Sequence, residues 1–488
     1  MQESAQANHA RHWIDGQWLD SRRHGQSIDP ATGNPIGSYA DAGQIEVQQA
    51  IDAASRAFRE SPWKHERKLR ARVLEQLAQA FEMAEPELVR ILALENGKIL
   101  PEAHFEVGMV PSKLRYWAAR VLTESDRAVQ ADGGRLSIIL RQPAGVAGIV
   151  VPWNSPVVLL IRSLAPALAA GASVVAKLPG QTAQTNQAIA RIFAGIEALP
   201  RGVVNLFTES GAEGSRLLVE SPEVPVISFT GSSATGRAIS ANGAARLKRF
   251  GLELGGKTPL IVFDDADLEA ALPVLEKALT VFAGQFCMTG SRLLAQRGIA
   301  AKLRERLAER LAAVKVGPAS DPASEMGPLI DKANVARVDA IVEKAIAAGA
   351  RVIVRGGPIA EGPLASGAFY RPTLLEVEDN GLAIVQEEIF GPVLTLQVFD
   401  TEEQAIALAN DNQYGLAASV WSRDGDLPLR VAAALEAGSV WVNDWAIVLD
   451  DTEEGGFKQS GLGRLNGVAA IEDFLEYKHI ALRPGISR

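Results

Sequence analysis

The sequence predicts an α/β protein in which two doubly wound parallel-sheet domains follow one another along 488 residues. Two observations predict this fold class. First, short apolar, β-branched runs alternate with helical patterns at about 157–170, 184–197 and 211–219; these runs are "VAGIVV" 146–151, "SVVAK" 173–177, "VVNLF" 203–207 and "VPVISF" 224–229. Second, the alternation resumes after "PLIVF" 259–263 with a helix at about 267–283, followed by "SRLLAQ", "VLTLQVF", "LAASVW" and "SVWVN". Alternating strands and helices are the pattern of βαβ units.

Two further regions complete the predicted elements. Residues 45–122 are rich in Ala, Leu, Arg and Glu at helical spacing. The run "RLSIIL" 135–140 alternates like an exposed strand and lies between glycines and a proline. We expect a protruding hairpin there, which could join subunits.

Composition and charge restrict the classes of partner. The 49 Lys+Arg and 58 Asp+Glu residues are interspersed, without the basic run that a nucleic-acid backbone requires. The start, "MQESAQANHARHW", lacks a basic segment followed by an apolar core, and Arg162 interrupts the most apolar stretch. We therefore expect a cytoplasmic protein that contacts neither nucleic acid nor membrane.

Cys287, in "GQFCMTGSR" 284–292, is the single cysteine of the chain. One thiol allows no intramolecular disulfide, and the spacing of a cysteine-based metal site is absent, so no metal is expected. The thiol is either a small buried hydrophobic group or a nucleophile.

The stretch "SFTGSSATGR" carries Gly231 and Gly236 where a predicted strand runs into a helix. Free backbone N–H groups at such a helix start can bind a phosphate. The G-x-x-x-x-G spacing differs from the usual dinucleotide fingerprint, so a simple tight connection is the alternative.

Two polar residues are candidates to act with the thiol. Glu253 lies in "LELGGKTP", and Asn154 follows a strand end in "VVPWNSP". A carboxylate, a thiol and an amide at the ends of two sheets suit covalent catalysis, as base, nucleophile and oxyanion donor. Taken singly, Glu253 could instead be a helix-capping or ion-paired carboxylate, and Asn154 a turn former.

Together these stretches resemble the aldehyde dehydrogenase superfamily over nearly the whole chain. Seven motifs occur in that family's order and approximate spacing: "PWN" 152–154, "FTGS" 229–232, "ELGGK" 253–257, "GQFCMTGSR" 284–292, "EEIFGPV" 387–393, "NDNQYGLAA" 410–418 and "GGFKQSGLGR" 455–464.

The resemblance implies oxidation of an aldehyde to a carboxylic acid with NAD or NADP. It makes Cys287 the nucleophile, Asn154 the oxyanion-hole amide, and Glu253 the base that hydrolyses the thioester. A CoA-acylating or phosphorylating relative would not need Glu253, and a non-catalytic relative would be expected to lose the thiol or the base.

The resemblance also implies a set of cofactor-binding residues: Trp153, Lys177, Gly180, Gly231, Ser232, Gly236, Leu254, Glu388 and Phe390. Lys177 would contact the adenosine ribose or its phosphate, Ser232 the pyrophosphate and Glu388 the nicotinamide ribose, while Phe390 would lie beside the nicotinamide ring. The alternatives are a surface lysine, a helix cap, a solvated carboxylate and a core aromatic residue.

Domain limits follow from the same resemblance. Residues 1–124 and 144–255 would form the dinucleotide-binding domain, 256–455 the catalytic domain, and 125–143 with 471–488 an oligomerisation segment. The run "FLEYKHIAL" 474–482 resembles the family's last strand, which usually pairs across a subunit interface. A homodimer or homotetramer is therefore expected, with a solitary edge strand as the alternative.

Two departures from the family pattern leave questions open. Gly180, in "KLPG", stands where a carboxylate usually holds the adenosine ribose, so NAD and NADP both remain possible. Leu465, in "GRLNG", stands where the family often has Glu, so a proton relay through that position is lost.

The substrate pocket is predicted to include Ser155, Leu159, Arg162, Phe286 and Trp445. An arginine at position 162 resembles the succinate-semialdehyde branch, where it would hold a substrate carboxylate bidentately. The alternative is a structural salt bridge to the acidic loop 450–454, through Asp450, Asp451, Glu453 or Glu454. In that case an aromatic or medium aliphatic aldehyde, resting on Trp445, is the expected substrate.

Overall fold

The computed structural model describes residues 8–483 of the chain. Within them the first large sheet has eight strands, whose inner members run parallel and whose outer members run antiparallel. In spatial order the strands are Gly461–Leu462, Arg249–Glu253, Val226–Thr230, Val146–Val150, Ser173–Pro179, Val204–Glu209, His12–Ile14 and Gln17–Leu19. The connecting helices are Pro156–Ala170, Ala183–Ala194, Glu213–Glu220 and Ser233–Gly243.

The second large sheet has seven strands and is parallel except at one edge. Its strands, in spatial order, are Arg351–Val354, Thr373–Glu376, Val393–Phe399, Gly290–Gln296, Thr258–Val262, Ala417–Trp421 and Ser439–Val442. Its helices are Leu268–Thr280, Arg297–Ala313, Lys332–Ala347, Ala383–Gln386, Glu402–Asn410 and Leu427–Ala434. The predicted fold class is thereby confirmed.

Burial explains why the strand sequences read as continuous apolar runs. Val174, Val175 and Ala176 are fully buried, as expected where helices cover both faces of a parallel sheet. The helix Pro156–Ala170 is buried along its whole length, which accounts for its apolar composition. Within residues 8–483, none of the helices combines the length and the apolarity that crossing a membrane requires.

The predicted helical region 45–122 folds as four consecutive helices: Gln44–Glu60, Arg67–Asn96, Leu100–Gly108 and Val110–Thr123. The second of them runs for 30 residues and ends at Gly97, whose φ of 85° is the left-handed conformation that glycine tolerates best.

The predicted hairpin is present, and the last strand pairs with it. Arg127–Ala131 and Arg135–Pro143 form the hairpin around a single 3₁₀ turn. The strand Leu475–Leu482 pairs antiparallel with Arg135–Pro143 over its full length, so it is not a solitary strand, and within residues 8–483 its other edge is unpaired. Pairing across a subunit interface stays a prediction. The part of the predicted oligomerisation segment 471–488 that extends beyond residue 483 lies outside the described residues, as do residues 1–7.

A further small sheet was not predicted. In it, Pro35–Asp41 lies between His9–Ala10 and Arg23–Ile28. These strands are short or polar, so the sequence has no apolar alternation that would indicate them. Two-stranded ladders also join Gly357–Pro358 to Tyr370–Arg371 and Tyr414–Gly415 to Phe457–Lys458. The domain limits given above stay a prediction.

Candidate active site

Cys287 lies in a tight loop between the 3₁₀ turn Val281–Gly284 and the strand Gly290–Gln296. Phe282 and Ala283, just before it, have φ values of 52° and 54°, in the left-handed region that non-glycine residues avoid. The hydroxyl of Thr289 donates to the carbonyls of Gly284 and Phe286 at 3.1 and 2.7 Å and closes the loop. Such strain concentrates at functional sites, and here it holds the thiol half-buried.

The glycines of the "LGG" motif make room for this loop. A Cβ atom on Gly256 would lie 2.5 Å from the Cys287 carbonyl oxygen. No side chain other than hydrogen therefore fits at Gly256 without moving the cysteine backbone.

Asn154 reaches the cysteine loop from the carboxyl end of the strand Val146–Val150 in the other sheet. Its Nδ2 donates to the backbone carbonyl of Gln285 at 3.1 Å, and the side chain is buried. An amide nitrogen carries two hydrogens, so this bond orients Asn154 while one donor stays available.

Glu253 ends the strand Arg249–Glu253 and is buried, and its Oε1 has no hydrogen-bond partner among the described residues. Burial raises the pKa of its carboxyl to about 8, and the positive charge of Arg162 opposes this rise. Glu253 is therefore poised to exchange a proton close to neutral pH.

The thiol itself is protonated at neutral pH. Burial raises the pKa of Cys287 to about 12, and Arg162 is the neighbour that acts most strongly in the opposite direction. Arg162 is thus the cationic group whose field favours both the thiolate and the Glu253 carboxylate.

Arg162 is held in a buried network rather than left free in the cavity. Its Nη1 lies 2.7 Å from Oε1 of Glu454, and its Nη2 donates to the Thr230 hydroxyl at 3.2 Å. Asn466 donates to the other oxygen of Glu454 at 3.0 Å. Among the partners expected from the acidic loop, Glu454 is the residue that forms the salt bridge.

Leu465 takes part in the same network through its backbone. It is buried, and its N–H and carbonyl both bond to Glu454 at 2.8 Å. Glu454 is therefore the carboxylate directly opposite position 465 in this antiparallel bridge.

A cavity of about 530 Å³ opens onto the thiol, and it is lined by all five predicted substrate residues together with Asn154 and Cys287. Its inner wall is aromatic. Phe286 meets Phe282 and Trp445 edge to face, with ring centroids 5.6 and 5.9 Å apart. The Trp445 indole donates to the Met288 carbonyl at 2.9 Å, which ties this wall to the cysteine loop.

The other cationic groups of the cavity are also paired with carboxylates. Lys113 lies 2.8 Å from Asp450, and Lys277 lies 3.3 Å from Glu102. Ser155, expected to face the substrate, lines the cavity, but its hydroxyl accepts a hydrogen bond from Lys98 at 3.1 Å.

Among the predicted cofactor residues, Ser232 caps the helix Ser233–Gly243. Its hydroxyl accepts from the Thr235 N–H at 3.2 Å, and the residue is exposed. Gly236 packs against Leu254, because a Cβ there would lie 2.6 Å from a Leu254 methyl group. An exposed helix N-terminus after a strand suits a pyrophosphate, so the dinucleotide assignment fits this structure.

Lys177 and Gly180 lie at the end of the strand Ser173–Pro179, outside the cavity at the thiol. Burial lowers the pKa of Lys177, while the carboxylates of Glu209 and Asp41 oppose this. A Cβ on Gly180 would lie 2.6 Å from the Tyr39 hydroxyl, so Tyr39 occupies the space beside Gly180.

Glu388, Phe390 and Trp153 lie together at the nicotinamide end of the predicted site. Glu388 accepts a hydrogen bond from the Gly256 N–H at 3.1 Å, and burial raises its pKa to about 7. Phe390, with φ of 54°, meets Trp153 edge to face at 5.5 Å.

Two residues that support the site were not predicted from the sequence. Glu106 accepts from the Val157 N–H at 2.9 Å and so caps the helix that follows Asn154, while Gln285 bonds to Ile330 through its side chain. Glu106 lies 51 positions from its partner, and no local pattern marks such a contact.

Comparison with known proteins agrees with this fold and arrangement. The model of the aldehyde dehydrogenase family matches residues 18–480. Betaine aldehyde dehydrogenase of Bacillus subtilis is 36% identical over 483 residues, covering 96% of both chains. The NADP⁺-dependent succinate-semialdehyde dehydrogenase of Escherichia coli is 37% identical over 478 residues, covering 96% of this chain and 97% of the relative. The chain belongs to the aldehyde dehydrogenase family.

Solved structures agree as well. Betaine aldehyde dehydrogenase of Staphylococcus aureus, in complex with NAD⁺, superposes with a TM-score of 0.96 at 34% identity, covering 99% of this chain and 97% of the other. The protein is accordingly an NAD(P)-dependent aldehyde dehydrogenase, which oxidises an aldehyde to a carboxylic acid through a cysteine-bound thioester.

Proposed function

We propose that Cys287, Asn154 and Glu253 carry out this chemistry on an uncharged aromatic or medium-length aliphatic aldehyde. The Cys287 thiol gives its proton to the Glu253 carboxylate as its sulfur adds to the aldehyde carbon, and Glu253 then loses this proton to solvent before hydrolysis begins. The oxyanion that forms accepts hydrogen bonds from the free Asn154 donor and the Cys287 N–H. When bound, oxidised NAD or NADP accepts the hydride that leaves this carbon. Its binding residues are those predicted from the family motifs.

The thioester that results is hydrolysed by water. Glu253 removes a proton from the water as the oxygen attacks the acyl carbon, and the carbon–sulfur bond then breaks to release the carboxylic acid and the thiolate. The pKa of about 8 supports this role, because a base near the working pH transfers protons in both directions.

The Arg162–Glu454 pair is the observation that carries the substrate assignment. A substrate carboxylate would have to displace a buried carboxylate that already bonds Arg162 at 2.7 Å. Since the other cavity cations are paired too and the wall is aromatic, an apolar aldehyde is favoured. On this assignment the positive charge of Arg162 does not bind substrate but favours the ionised forms of Cys287 and Glu253.

A carboxylate-bearing semialdehyde is the alternative substrate, favoured by the position of Arg162 in the cavity and by relatives that act on semialdehydes. An assay with benzaldehyde, hexanal and succinate semialdehyde, each with NAD⁺ and NADP⁺, separates the two. We expect kcat/KM for benzaldehyde or hexanal to exceed that for succinate semialdehyde by at least about tenfold. The reverse order would overturn the assignment.

Two variants test the pair directly. Glu454→Gln leaves the charge of Arg162 uncompensated, so kcat/KM for succinate semialdehyde should rise about tenfold relative to benzaldehyde. Arg162→Leu should lower activity on both substrates alike; a selective loss of about tenfold or more on succinate semialdehyde would favour the alternative. Lys277→Gln, which removes another cation of the cavity, controls for a general loss of positive charge.

The functional molecule is proposed to be a homodimer or homotetramer in the cytoplasm. Four apolar side chains are exposed on the small sheet that contains the hairpin: Val129, Leu136, Tyr477 and Leu482. Its outer strands, Arg127–Ala131 and Leu475–Leu482, present edges that a second copy could cover. The single free thiol is consistent with a reducing compartment.

A further inference from the structure

His9, Asp20 and His24 converge on the small sheet near the start of the chain, apart from the residues assigned to catalysis. Nε2 of His9 and Nε2 of His24 lie 3.1 and 3.0 Å from the same Asp20 oxygen, Oδ1. One ligand atom of each residue lies within 4.8 Å of the other two. Asp20 and His24 are exposed and His9 is half-buried, so the group is accessible to ions in solution.

The backbone places the two imidazoles on either side of one strand. His9 is paired with Ser38, and His24 is paired with Ala40, both on the central strand Pro35–Asp41. Their rings approach edge to face, with centroids 5.0 Å apart. The sheet therefore holds both histidines in place before any ligand arrives.

We propose that His9, Asp20 and His24 bind a divalent transition metal ion, Zn²⁺ in the first instance. Zinc–ligand bonds of about 2.0–2.1 Å in tetrahedral geometry put neighbouring ligand atoms roughly 3.3 Å apart, close to the 3.1 and 3.0 Å that separate Asp20 from the two imidazoles. Two nitrogen ligands and one carboxylate suit Zn²⁺, and water completes the fourth position.

A supporting hydrogen bond fits this role. Nδ1 of His9 lies 2.8 Å from the Ser38 hydroxyl, which orients the ring and frees Nε2 for a metal when Nδ1 carries the proton. Without a metal, both Nε2 atoms lie within hydrogen-bond distance of Asp20 Oδ1. A metal ion needs unprotonated nitrogen and carboxylate ligands, so protons compete with it and the affinity falls as the pH is lowered.

The proposed ion would clip the strands His9–Ala10 and Arg23–Ile28 to the turn that follows Gln17–Leu19. These strands enclose the one that carries Tyr39, whose hydroxyl lies against Gly180. The ion is accordingly a structural clip beside the predicted adenosine site, and it takes no part in aldehyde oxidation.

Titration calorimetry with Zn²⁺ tests the site, using the full chain without a histidine tag and in a Cys287→Ala background that removes the thiol as a competing ligand. We expect one ion per chain, with an increase in the thermal midpoint at saturating Zn²⁺. Asp20→Asn and His24→Gln should each weaken binding by at least about tenfold, and Ser38→Ala by up to about tenfold.

His104→Gln is the matched control, because His104 forms an exposed pair with Glu85 at 3.3 Å and belongs to no such trio. It should bind Zn²⁺ like its parent. Unchanged Zn²⁺ affinity in both Asp20→Asn and His24→Gln would overturn the proposal, as would the lack of any binding to the parent. If circular dichroism shows that His24→Gln does not fold, Asp20→Asn tests the proposal instead. In that case the Co²⁺ ligand-field bands of the parent should be lost in Asp20→Asn, and unchanged bands would overturn the proposal.

Discussion

At the scale of single residues, burial sets the protonation of both groups on which the proposed chemistry depends. It raises the pKa of Cys287 to about 12 and that of Glu253 to about 8, and Arg162 opposes both shifts. The arginine is fixed in the buried site by hydrogen bonds to Glu454 and Thr230, and its charge acts on both groups from there. This buried ion pair thus belongs to the electrostatics on which the proposed chemistry depends.

Replacement of Cys287 by alanine should abolish aldehyde oxidation, by about a thousandfold or more, because no covalent adduct can form. Binding of NAD⁺ or NADP⁺ should persist, since the thiol is not needed for the dinucleotide. Turnover followed by reduced-cofactor absorbance, with cofactor binding by fluorescence, checks both. Turnover above a few per cent of the parent would remove Cys287 from its assigned role.

Glu253→Gln keeps the shape of the side chain but cannot accept a proton. A burst of about one reduced cofactor per site should therefore precede a nearly silent steady state, as the thioester accumulates. An unchanged steady-state rate would show that another group serves as the base.

The pH dependence of hydrolysis follows from the raised pKa of Glu253. A carboxyl with a pKa of about 8 is mostly protonated at pH 7, so the basic form increases as the pH rises. The steady-state rate of the parent, where hydrolysis limits it, should rise about tenfold per pH unit below the pKa and level off above it. Stopped-flow kinetics from pH 6 to about 9 measures this; a flat profile would contradict the assigned pKa.

At the scale of elements, the strand ends place the cofactor residues. Val150 is paired with Lys177 and with Phe229, and Thr230 is paired with Glu253, so the segments that follow these four adjacent strands meet at one edge of the parallel sheet. That edge is where doubly wound folds bind ligands. Gly180 begins the short 3₁₀ turn just after it.

Gly180→Glu tests the choice between NAD and NADP. The new carboxylate would accept from the ribose hydroxyls and repel a 2′-phosphate, so the preference for NAD⁺ should rise by about tenfold. The Tyr39 hydroxyl lies 2.6 Å from the position of the new Cβ, which is too close for a side chain. Gly180→Glu should therefore be made in a protein that also carries Tyr39→Phe, which removes this hydroxyl. Tyr39→Phe alone is the control, and an unaltered NADP⁺ affinity would show that Gly180 does not adjoin the ribose.

At the scale of the whole molecule, the sheet formed by the hairpin and the strand Leu475–Leu482 is the surface best suited to join subunits. Val129 is 50% exposed in the middle of the outer strand Arg127–Ala131. Val129→Lys should therefore shift the assembly towards monomer, because a buried lysine at an interface loses its hydration.

Light scattering coupled to gel filtration measures that shift. Met83→Lys, a change of a 78% exposed side chain on the helix Arg67–Asn96, provides the control and should leave the mass unchanged. A parent that elutes as a monomer, or a Val129→Lys variant of unchanged mass, would contradict the proposed assembly.

Local patterns were sufficient for the fold class and the family. Nine strands of the two large sheets appear in the sequence because full burial between helix layers selects apolar, β-branched runs. The helices of the region 45–122 appear in it through their helical spacing. The remaining six strands of these sheets, such as His12–Ile14 and Gly461–Leu462, were not predicted, because they are short or lack such a run. The seven motifs predicted an aldehyde dehydrogenase, and the comparisons confirm that membership. The individual catalytic roles stay predictions, although five of the proposed substrate residues line one cavity with Cys287.

The tertiary structure alone decided the electrostatics of the site. Arg162 and Glu454 are 292 positions apart, and the sequence allowed a free substrate clamp as readily as a salt bridge to any of several acidic residues. Likewise, the sequence predicted Leu475–Leu482 as a strand but did not show that one of its edges pairs with Arg135–Pro143, whose paired residues lie 332 to 346 positions earlier. Strand and helix patterns depend on neighbours along the chain, whereas the pairing of charges and sheet edges depends on which distant groups folding brings into contact.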